Sequence, residues 1–173
     1  MVDPNYESPY YIVVYAGKSQ SVAIYTKDAG GKYSVLSRCF TCSTGAPETP
    51  TRTGQYKIRA KYRWRWLQGN VYGQYSSSIS SSYLFHSVPY LKESESTLDM
   101  NEYDKLGTQA SHGCIRLCVR DTKWIYDNCP IGTQVNIVNE SGPSGAGVPS
   151  LDYGAKYKGW DPSDPHSDNP YNN

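Results

Sequence analysis

The sequence predicts a mainly β fold, and two observations carry that prediction. Short runs of β-branched and aromatic residues are separated by turn-forming Gly, Asp, Asn and Ser along most of the chain. Apolar and charged residues also alternate almost without a break from position 56 to position 66. The composition agrees, because 17 tyrosines and four tryptophans favour strands over helices. A chain of 173 residues is long enough for one domain with a buried core.

The N-terminal part of the chain predicts three strands. Residues 10–15 and 21–25 are β-branched and aromatic runs on either side of a turn-like Ala-Gly-Lys-Ser sequence, so they predict a hairpin. An Asp-Ala-Gly-Gly sequence predicts a second turn. Residues 33–42 then predict a third strand that leads into a loop over 45–50.

Residues 56–66 give the clearest strand prediction in the chain. Their aromatic and apolar side chains face one way, and five cations face the other: Lys57, Arg59, Lys61, Arg63 and Arg65. One interpretation is a half-buried antiparallel strand with a solvated cationic face. The alternative is that the five charges attract an anionic ligand.

A histidine is predicted to lie near the end of the next strand. Residues 76–82 are rich in serine and predict a loop, and residues 83–88 predict a strand that carries His86 and is stopped by Pro89. A polar segment over 92–107, with several acidic residues, follows this strand.

The C-terminal half predicts one helix, one strand and a tail. Asp121 is the expected N-cap of a helix over 122–128, and residues 133–138 predict the last strand. We therefore divide the chain into a domain over 1–139 and a Pro/Gly/Asp-rich tail over 140–173. The tail has no predicted core of its own, but its aromatic residues favour packing on the domain.

Charge and motif content argue against several functional classes. The 17 basic and 16 acidic residues give a net charge of +1, which offers no electrostatic basis for binding nucleic acid. The sequence has no Gly-rich phosphate loop, no metal-ligand cluster and no apolar run of the ~20 residues that span a bilayer. We therefore expect no metal, and the first residues do not predict a signal peptide.

The five cysteines allow several interpretations. One reactive thiol and up to two disulfides would fit an exported protein, with three possible connectivities among Cys39, Cys42, Cys118 and Cys129. Cys39 and Cys42 also form a C-x-x-C pair. A zinc interpretation of that pair lacks a second close pair, and a redox interpretation lacks the surrounding βαβ pattern.

The stretch most suggestive of chemistry is Thr-Gln-Ala-Ser-His-Gly-Cys-Ile-Arg-Leu over 108–117. A cysteine is nucleophilic as the thiolate, so Cys114 needs a base, and His112 or the distant His86 could supply it. The glycine at 113 permits close backbone approach, and the N–H groups of Gly113 and Cys114 could stabilise an oxyanion. The pattern indicates acyl transfer.

The sequence Ser111-His112-Gly113-Cys114, together with His86-Ser87, resembles the active-site signature of the L,D-transpeptidases of the YkuD family. The resemblance extends to Ser-Thr-Gly at 43–45, Thr-Pro-Thr at 49–51, Gly-Gln-Tyr at 54–56 and the predicted helix, and so covers about 13–138. It implies an antiparallel β-sandwich or partly open barrel with one or two short helices.

The resemblance also implies a reaction and a set of roles. Cys114 would take an acyl group from a tetrapeptide stem of peptidoglycan and pass it to the side-chain amine of an acceptor stem. His86 would be the general base, oriented by the main chain of Ser87, while His112 shapes the pocket; the opposite assignment of the two histidines stays open. Further candidates for substrate contact are Ser111, Arg116 and Tyr72. No cofactor is implied.

Two departures from the family pattern bear on substrate fit. Arg116 stands where Asn is frequent, and it could hold a carboxylate in bidentate fashion. The polar segment 92–107 lengthens the spacing between the histidine and the cysteine, and it could form a lid.

The expected partners follow from the same resemblance. They are peptidoglycan stem peptides and β-lactams of the carbapenem class. The expected location is extracytoplasmic, in the cell wall or anchored to the membrane by an N-terminal segment preceding this sequence. Two alternatives stay open: an L,D-carboxypeptidase that uses water as acceptor, and a non-catalytic wall-binding module.

Overall fold

The computed structural model describes residues 7–173, and these residues form two β-sheets with two short helices. The strands, in chain order, are β1 Tyr10–Tyr15, β2 Ser21–Lys27, β3 Tyr33–Thr41, β4 Gly54–Lys57, β5 Ala60–Leu67, β6 Val71–Ser78, β7 Leu84–Ser87, β8 Ile115–Leu117 and β9 Gln134–Val138. The α-helices are α1 Met100–Tyr103 and α2 Val119–Asn128, and 3₁₀ turns occupy Ala155–Tyr157 and Pro170–Asn172. No helix in this part of the chain is both long and apolar enough to cross a membrane.

The prediction of a mainly β fold is confirmed, and the described residues form no closed barrel. One sheet has the order β3-β2-β1-β9-β4 and the other the order β5-β6-β7-β8. Neighbouring strands are antiparallel except for β1 with β9 and β7 with β8, which are parallel. Each sheet is therefore mixed, whereas the expectation was an antiparallel arrangement.

The core joins both sheets to α2. The main cluster contains Ile12 and Val14 of β1, Phe85 of β7, Ile115 of β8 and Ile125 of α2, none of which is exposed to solvent. A second cluster is formed largely by residues of the segment after β7, including Tyr90, Leu98 and Tyr103. Burial of a side chain of this size stabilises the fold by about 1.5–3 kcal/mol.

The single strand predicted over 56–66 is wrong, because the chain passes from one sheet to the other in its middle. Ile58 is buried and pairs with the chain before β9, since its N–H donates to Thr133 O at 2.9 Å. The next residue already pairs with the other sheet, because Arg59 N–H donates to Ser78 O of β6 at 2.7 Å. The alternation of residue types continues across this crossing, so the pattern could not reveal it.

The serine-rich loop predicted over 76–82 is also wrong in its first half. Ser76 and Ser77 are fully buried in β6, which pairs with β5 on one side and with β7 on the other. Pairing on both sides satisfies the backbone of this segment, and tertiary context of that kind overrides the weak strand preference of serine.

The lid predicted over 92–107 is not present. This segment packs against the protein, with Leu98 and Tyr103 in the second cluster, and it contains the short helix α1. None of its residues lines the cavity that contains Cys114. Its apolar residues explain the difference, because they are buried beside β7 instead of being free to move.

The sequence left open up to two disulfides, and in the structure all five cysteines are free. Cys39 and Cys42 are three positions apart in extended chain, so about 10 Å separates their Cα atoms, which exceeds the span of a disulfide. Cys118 and Cys129 lie at opposite ends of α2. A helix of ten residues is about 15 Å long, so the connectivity that pairs Cys39 with Cys42 and Cys118 with Cys129 is excluded by distance.

The helix after the cysteine begins earlier than predicted. α2 starts at Val119 with Cys118 as its N-cap residue, and Asp121 lies inside the first turn, where it pairs with Arg120. The N–H of Val119 donates instead to the carboxylate of Asp161, at 2.9 Å. The cap therefore comes from the tail, far away in sequence.

Candidate active site

Two parallel strands bring His86 and Cys114 into one cavity. β7 carries His86, and β8 begins immediately after Cys114. In the register of this pair, His86 lies opposite Arg116, two positions beyond the cysteine. The fold therefore joins the two motifs that are far apart in the sequence, and both side chains line the same cavity.

The cavity has a volume of about 160 Å³ and is partly open to solvent. Its wall combines the cysteine region with the tip of the β5–β6 hairpin; the lining residues include Trp66, Leu67, Val71, Ser82, Ser111 and His112. The thiol of Cys114 is partly exposed and donates to Ser82 O at 3.7 Å. An extended peptide group could therefore approach the sulfur.

The loop before Cys114 is shaped by the hydroxyl group of Ser111. That oxygen accepts from Gly113 N–H at 3.0 Å and donates to Cys114 O at 2.6 Å. Gly113 has φ +131°, and a Cβ there would lie 2.8 Å from the ring of Tyr83, so no other residue fits without strain. The sequence around the nucleophile thus dictates one loop conformation.

The segment over 43–51 is hydrogen-bonded to the cysteine loop and to β8. Backbone hydrogen bonds join Ser43 to Arg116 in both directions, at 2.9 and 2.8 Å. Thr49 Oγ1 donates to Ser111 O at 2.8 Å, and Thr51 Oγ1 donates to Gly113 O at 2.7 Å. The Ser-Thr-Gly and Thr-Pro-Thr sequences therefore hold the cysteine loop.

His86 is held as one tautomer. Its side chain is only 3% exposed, and its Nδ1 atom contacts the main-chain oxygen of Ser87. A carbonyl oxygen can only accept, so Nδ1 carries the hydrogen and Nε2 keeps a free lone pair. A Cβ on Gly73 of β6 would lie 3.0 Å from His86 Cβ and 3.1 Å from Nδ1, so this glycine makes room for the ring.

Electrostatics favour a neutral pair in the resting site. Burial, assisted by the nearby Arg116 guanidinium, lowers the pKa of His86 to about 4, although the Ser87 carbonyl acts in the opposite direction. Burial raises the pKa of the Cys114 thiol, against smaller effects of the Leu84 N–H and of Arg116. At neutral pH a neutral imidazole and a thiol therefore share the cavity, and proton transfer between them would create the nucleophile.

Of the two N–H groups predicted to face an oxyanion, one is already engaged within the loop. Gly113 N–H is occupied by Ser111 Oγ, as described above. The N–H of Cys114 makes no hydrogen bond within residues 7–173, so it is available to a developing oxyanion. His112 lines the cavity but is exposed, in contrast to the buried His86.

Two of the three residues predicted to contact substrate line the cavity, and the third does not. Arg116 lines the cavity and is 7% exposed; its Nη1 atom pairs with Glu102 at 2.6 Å, while its buried Nε finds no partner within the described residues. Burial raises the pKa of Glu102, but hydrogen bonds from Lys105 and Arg116 outweigh it and leave that pKa lowered. Ser111 lines the cavity with its hydroxyl already engaged. Tyr72 does not line the cavity, because its ring packs on the second cluster.

Sequence reasoning missed three residues that support the site: Gly73, Thr51 and Glu102. Gly73 gave no local signal, because its importance depends on the approach of β7. Thr51 belongs to the quoted Thr-Pro-Thr sequence, but its hydrogen bond to Gly113 spans 62 positions.

No three His, Cys, Asp or Glu side chains of residues 7–173 form a metal-binding group.

Comparison with known proteins supports a family assignment. The sequence profile of the YkuD family, the L,D-transpeptidase catalytic domain, matches residues 9–137. The putative L,D-transpeptidase YciB of Bacillus subtilis is 53% identical over 82 residues, which are 47% of this chain and 36% of that protein. The chain thus spans about a third of the length of this relative.

Solved structures show the same fold. An L,D-transpeptidase from Mycobacterium smegmatis has a TM-score of 0.61 at 16% identity, over 76% of this chain and 59% of that one. The L,D-transpeptidase LdtMt1 in complex with imipenem has a TM-score of 0.60 at 16% identity, over 75% of this chain and 59% of that one. With the family profile covering most of the sequence, this chain belongs to the YkuD family of L,D-transpeptidase catalytic domains.

Proposed function

We propose that this chain is a peptidoglycan L,D-transpeptidase with Cys114 as nucleophile and His86 as general base. One observation carries the proposal. The Nδ1 atom of His86 is engaged by Ser87, which leaves the Nε2 lone pair free on a buried ring in the cavity that also contains the Cys114 thiol. Cysteine-dependent acyl transfer requires this pairing of a thiol with an oriented base.

The first half of the reaction forms a thioester. His86 takes the thiol proton, and the thiolate attacks the carbonyl between the diamino-acid residue and the terminal D-Ala of a tetrapeptide stem. The oxyanion accepts a hydrogen bond from the free N–H of Cys114. The carbon–nitrogen bond then breaks, and D-Ala leaves with the proton returned by His86.

The second half regenerates the thiol. The side-chain amine of an acceptor stem attacks the thioester and loses a proton to His86. The sulfur leaves and is protonated, so that the third residues of two stems become cross-linked. If water replaced the amine, the same residues would give an L,D-carboxypeptidase. Because stem peptides lie outside the cytoplasmic membrane, we place the activity there.

Carbapenems are proposed as covalent inhibitors of the same cysteine. The similar structure of LdtMt1 is a complex with imipenem, which supports this proposal. Attack of the Cys114 thiolate on the lactam carbonyl would open the ring at its carbon–nitrogen bond, and the nitrogen would take the proton. The adduct retains every atom of the inhibitor.

Intact-mass spectrometry of the acyl-enzyme tests the proposal. Wild-type protein mixed with a tetrapeptide stem should gain the mass of the stem minus D-Ala, and the Cys114→Ala variant should gain nothing. His86→Ala should slow this step by about 10²-fold or more, the usual contribution of a positioned base. If His112→Ala abolished acylation and His86→Ala did not, the base assignment would be reversed.

A further inference from the structure

The tail over 140–173 lies outside the range that matches the family profile, yet its last third is fixed to the domain. Asp161 and Asp164 are at most 2% exposed, and Asn169 is fully buried. Asn169 Nδ2 donates to the main-chain oxygens of both aspartates, at 2.9 and 2.8 Å. Asp161 in turn caps α2 through Val119. This part of the tail therefore holds one conformation against the domain.

Asp164 reaches into the sheet and contacts a fully buried glutamine. Its Oδ2 atom accepts from Gln74 Nε2 at 3.0 Å, and Arg63 Nη1 donates to Gln74 Oε1 at 2.8 Å. A guanidinium can only donate and a carboxylate can only accept, so the amide of Gln74 has a single allowed orientation. Arg63 and Asp164 thus fix Gln74 from its two ends.

Gln74 also forms a hydrogen bond with β7, the strand that carries the proposed base. Its backbone N–H donates to Ser87 Oγ at 2.8 Å, and this hydroxyl donates onward to Val88 O at 2.9 Å. The main-chain oxygen of Ser87 is the partner of His86 Nδ1. The preceding residue, Gly73, packs directly on the His86 ring. Any shift of β6 at this point would move the carbonyl and the wall that orient His86.

We propose that Asp164 is a positioning residue that acts on His86 through Gln74 and Ser87. The C-terminal tail would thus help to orient the proposed base. The inference rests on the proposed function in one respect, namely that His86 is the base for Cys114. The tail anchors Gln74, Gln74 anchors Ser87, and Ser87 sets the tautomer and direction of the imidazole.

The test is the pH dependence of Cys114 alkylation by iodoacetamide, followed by mass spectrometry of the peptide that contains Cys114. The variants are Asp164→Asn and Gln74→Met. The first keeps the size of the side chain but sets an amide donor against the amide of Gln74 or leaves His166 N–H without its acceptor. The second removes both side-chain hydrogen bonds and leaves the cap on α2 intact. Asp168→Asn is the matched control, because Asp168 is an exposed acid of the same tail.

Both variants should slow alkylation at pH 7 by about tenfold, since a base displaced by up to 1 Å can lose as much as 10²-fold. At high pH the difference from the wild type should shrink, because hydroxide then competes with His86 in removing the thiol proton. Asp168→Asn should leave the whole profile unchanged. Loss of stability without a change in this profile, in either variant, would overturn the proposal. His86→Ala separates the two ideas: if it leaves the profile unchanged as well, the assignment of His86 as base has failed.

Discussion

The close approach of Gly73 to His86 allows a sharp test of how the base is held. In Gly73→Ala the new Cβ would lie 3.0 Å from His86 Cβ and 3.1 Å from its Cγ and Nδ1. Carbon atoms pack comfortably at about 3.5–4.0 Å, so the ring or the strand must move by roughly half an ångström. The ring is buried and engaged by Ser87, so it has little freedom to retreat.

We expect this substitution to lower the rate of imipenem acylation by about tenfold or more, because small displacements of a catalytic group are costly. Stability should fall by about 1–3 kcal/mol, the usual result of overpacking a buried site. Stopped reactions analysed by intact mass give the rate, and urea unfolding gives the stability. The control is Gly30→Ala, where the new Cβ meets only the flexible carboxylate of Asp28 at 3.3 Å. Wild-type acylation by folded Gly73→Ala protein would refute the claim that this wall orients His86.

Three further predictions concern the same site. The acid limb of the acylation rate should have its midpoint near pH 4, because the buried His86 is protonated only as the pH falls through its lowered pKa of about 4; a limb near 6.5 would contradict this. Thr51→Val should cost about 1–3 kcal/mol of stability and slow acylation, since Gly113 O loses its buried donor. Glu102→Gln should destabilise the fold by about 1–3 kcal/mol, because Arg116 keeps its charge and loses its ionic partner.

Matched substitutions separate these effects from general ones. Thr26→Val removes an exposed hydroxyl whose acceptor is 3.5 Å away, so it should change neither stability nor acylation. Glu93→Gln removes an exposed acid from the same segment as Glu102 and should also be neutral. Urea unfolding and acylation rates measure both pairs. Equal losses in a variant and its control would show that the named contact is unimportant.

The sequence was sufficient to predict the motifs but not their connections. His86 at a strand end and Cys114 after a glycine follow from local patterns, and the parallel pairing of β7 with β8 could be seen only in the structure. Residue types do alternate over 56–66, but the chain passes from one sheet to the other after Ile58. A period of two reports which way side chains face along one strand, and it carries no information about which sheet the strand joins.

Long-range polar contacts explain most of what the sequence could not predict. The sequence suggests that Arg116 holds a substrate carboxylate, whereas in the structure Arg116 pairs with Glu102 of the protein itself. The sequence gives no separate signal for Asp161 and Asp164, because a Pro-rich and Asp-rich composition is typical of solvated chain. Both are buried and hydrogen-bonded, and only tertiary structure supplies their partners.

Product analysis with purified tetrapeptide muropeptides tests the central claim most directly. Wild-type protein and Cys114→Ala are incubated with the muropeptides, and the products are separated and identified by mass spectrometry. We expect loss of D-Ala together with cross-linked dimers, both dependent on Cys114. Loss of D-Ala that yields only tripeptide monomers would identify a carboxypeptidase, and unchanged muropeptides with both proteins would contradict an enzymatic role on this donor.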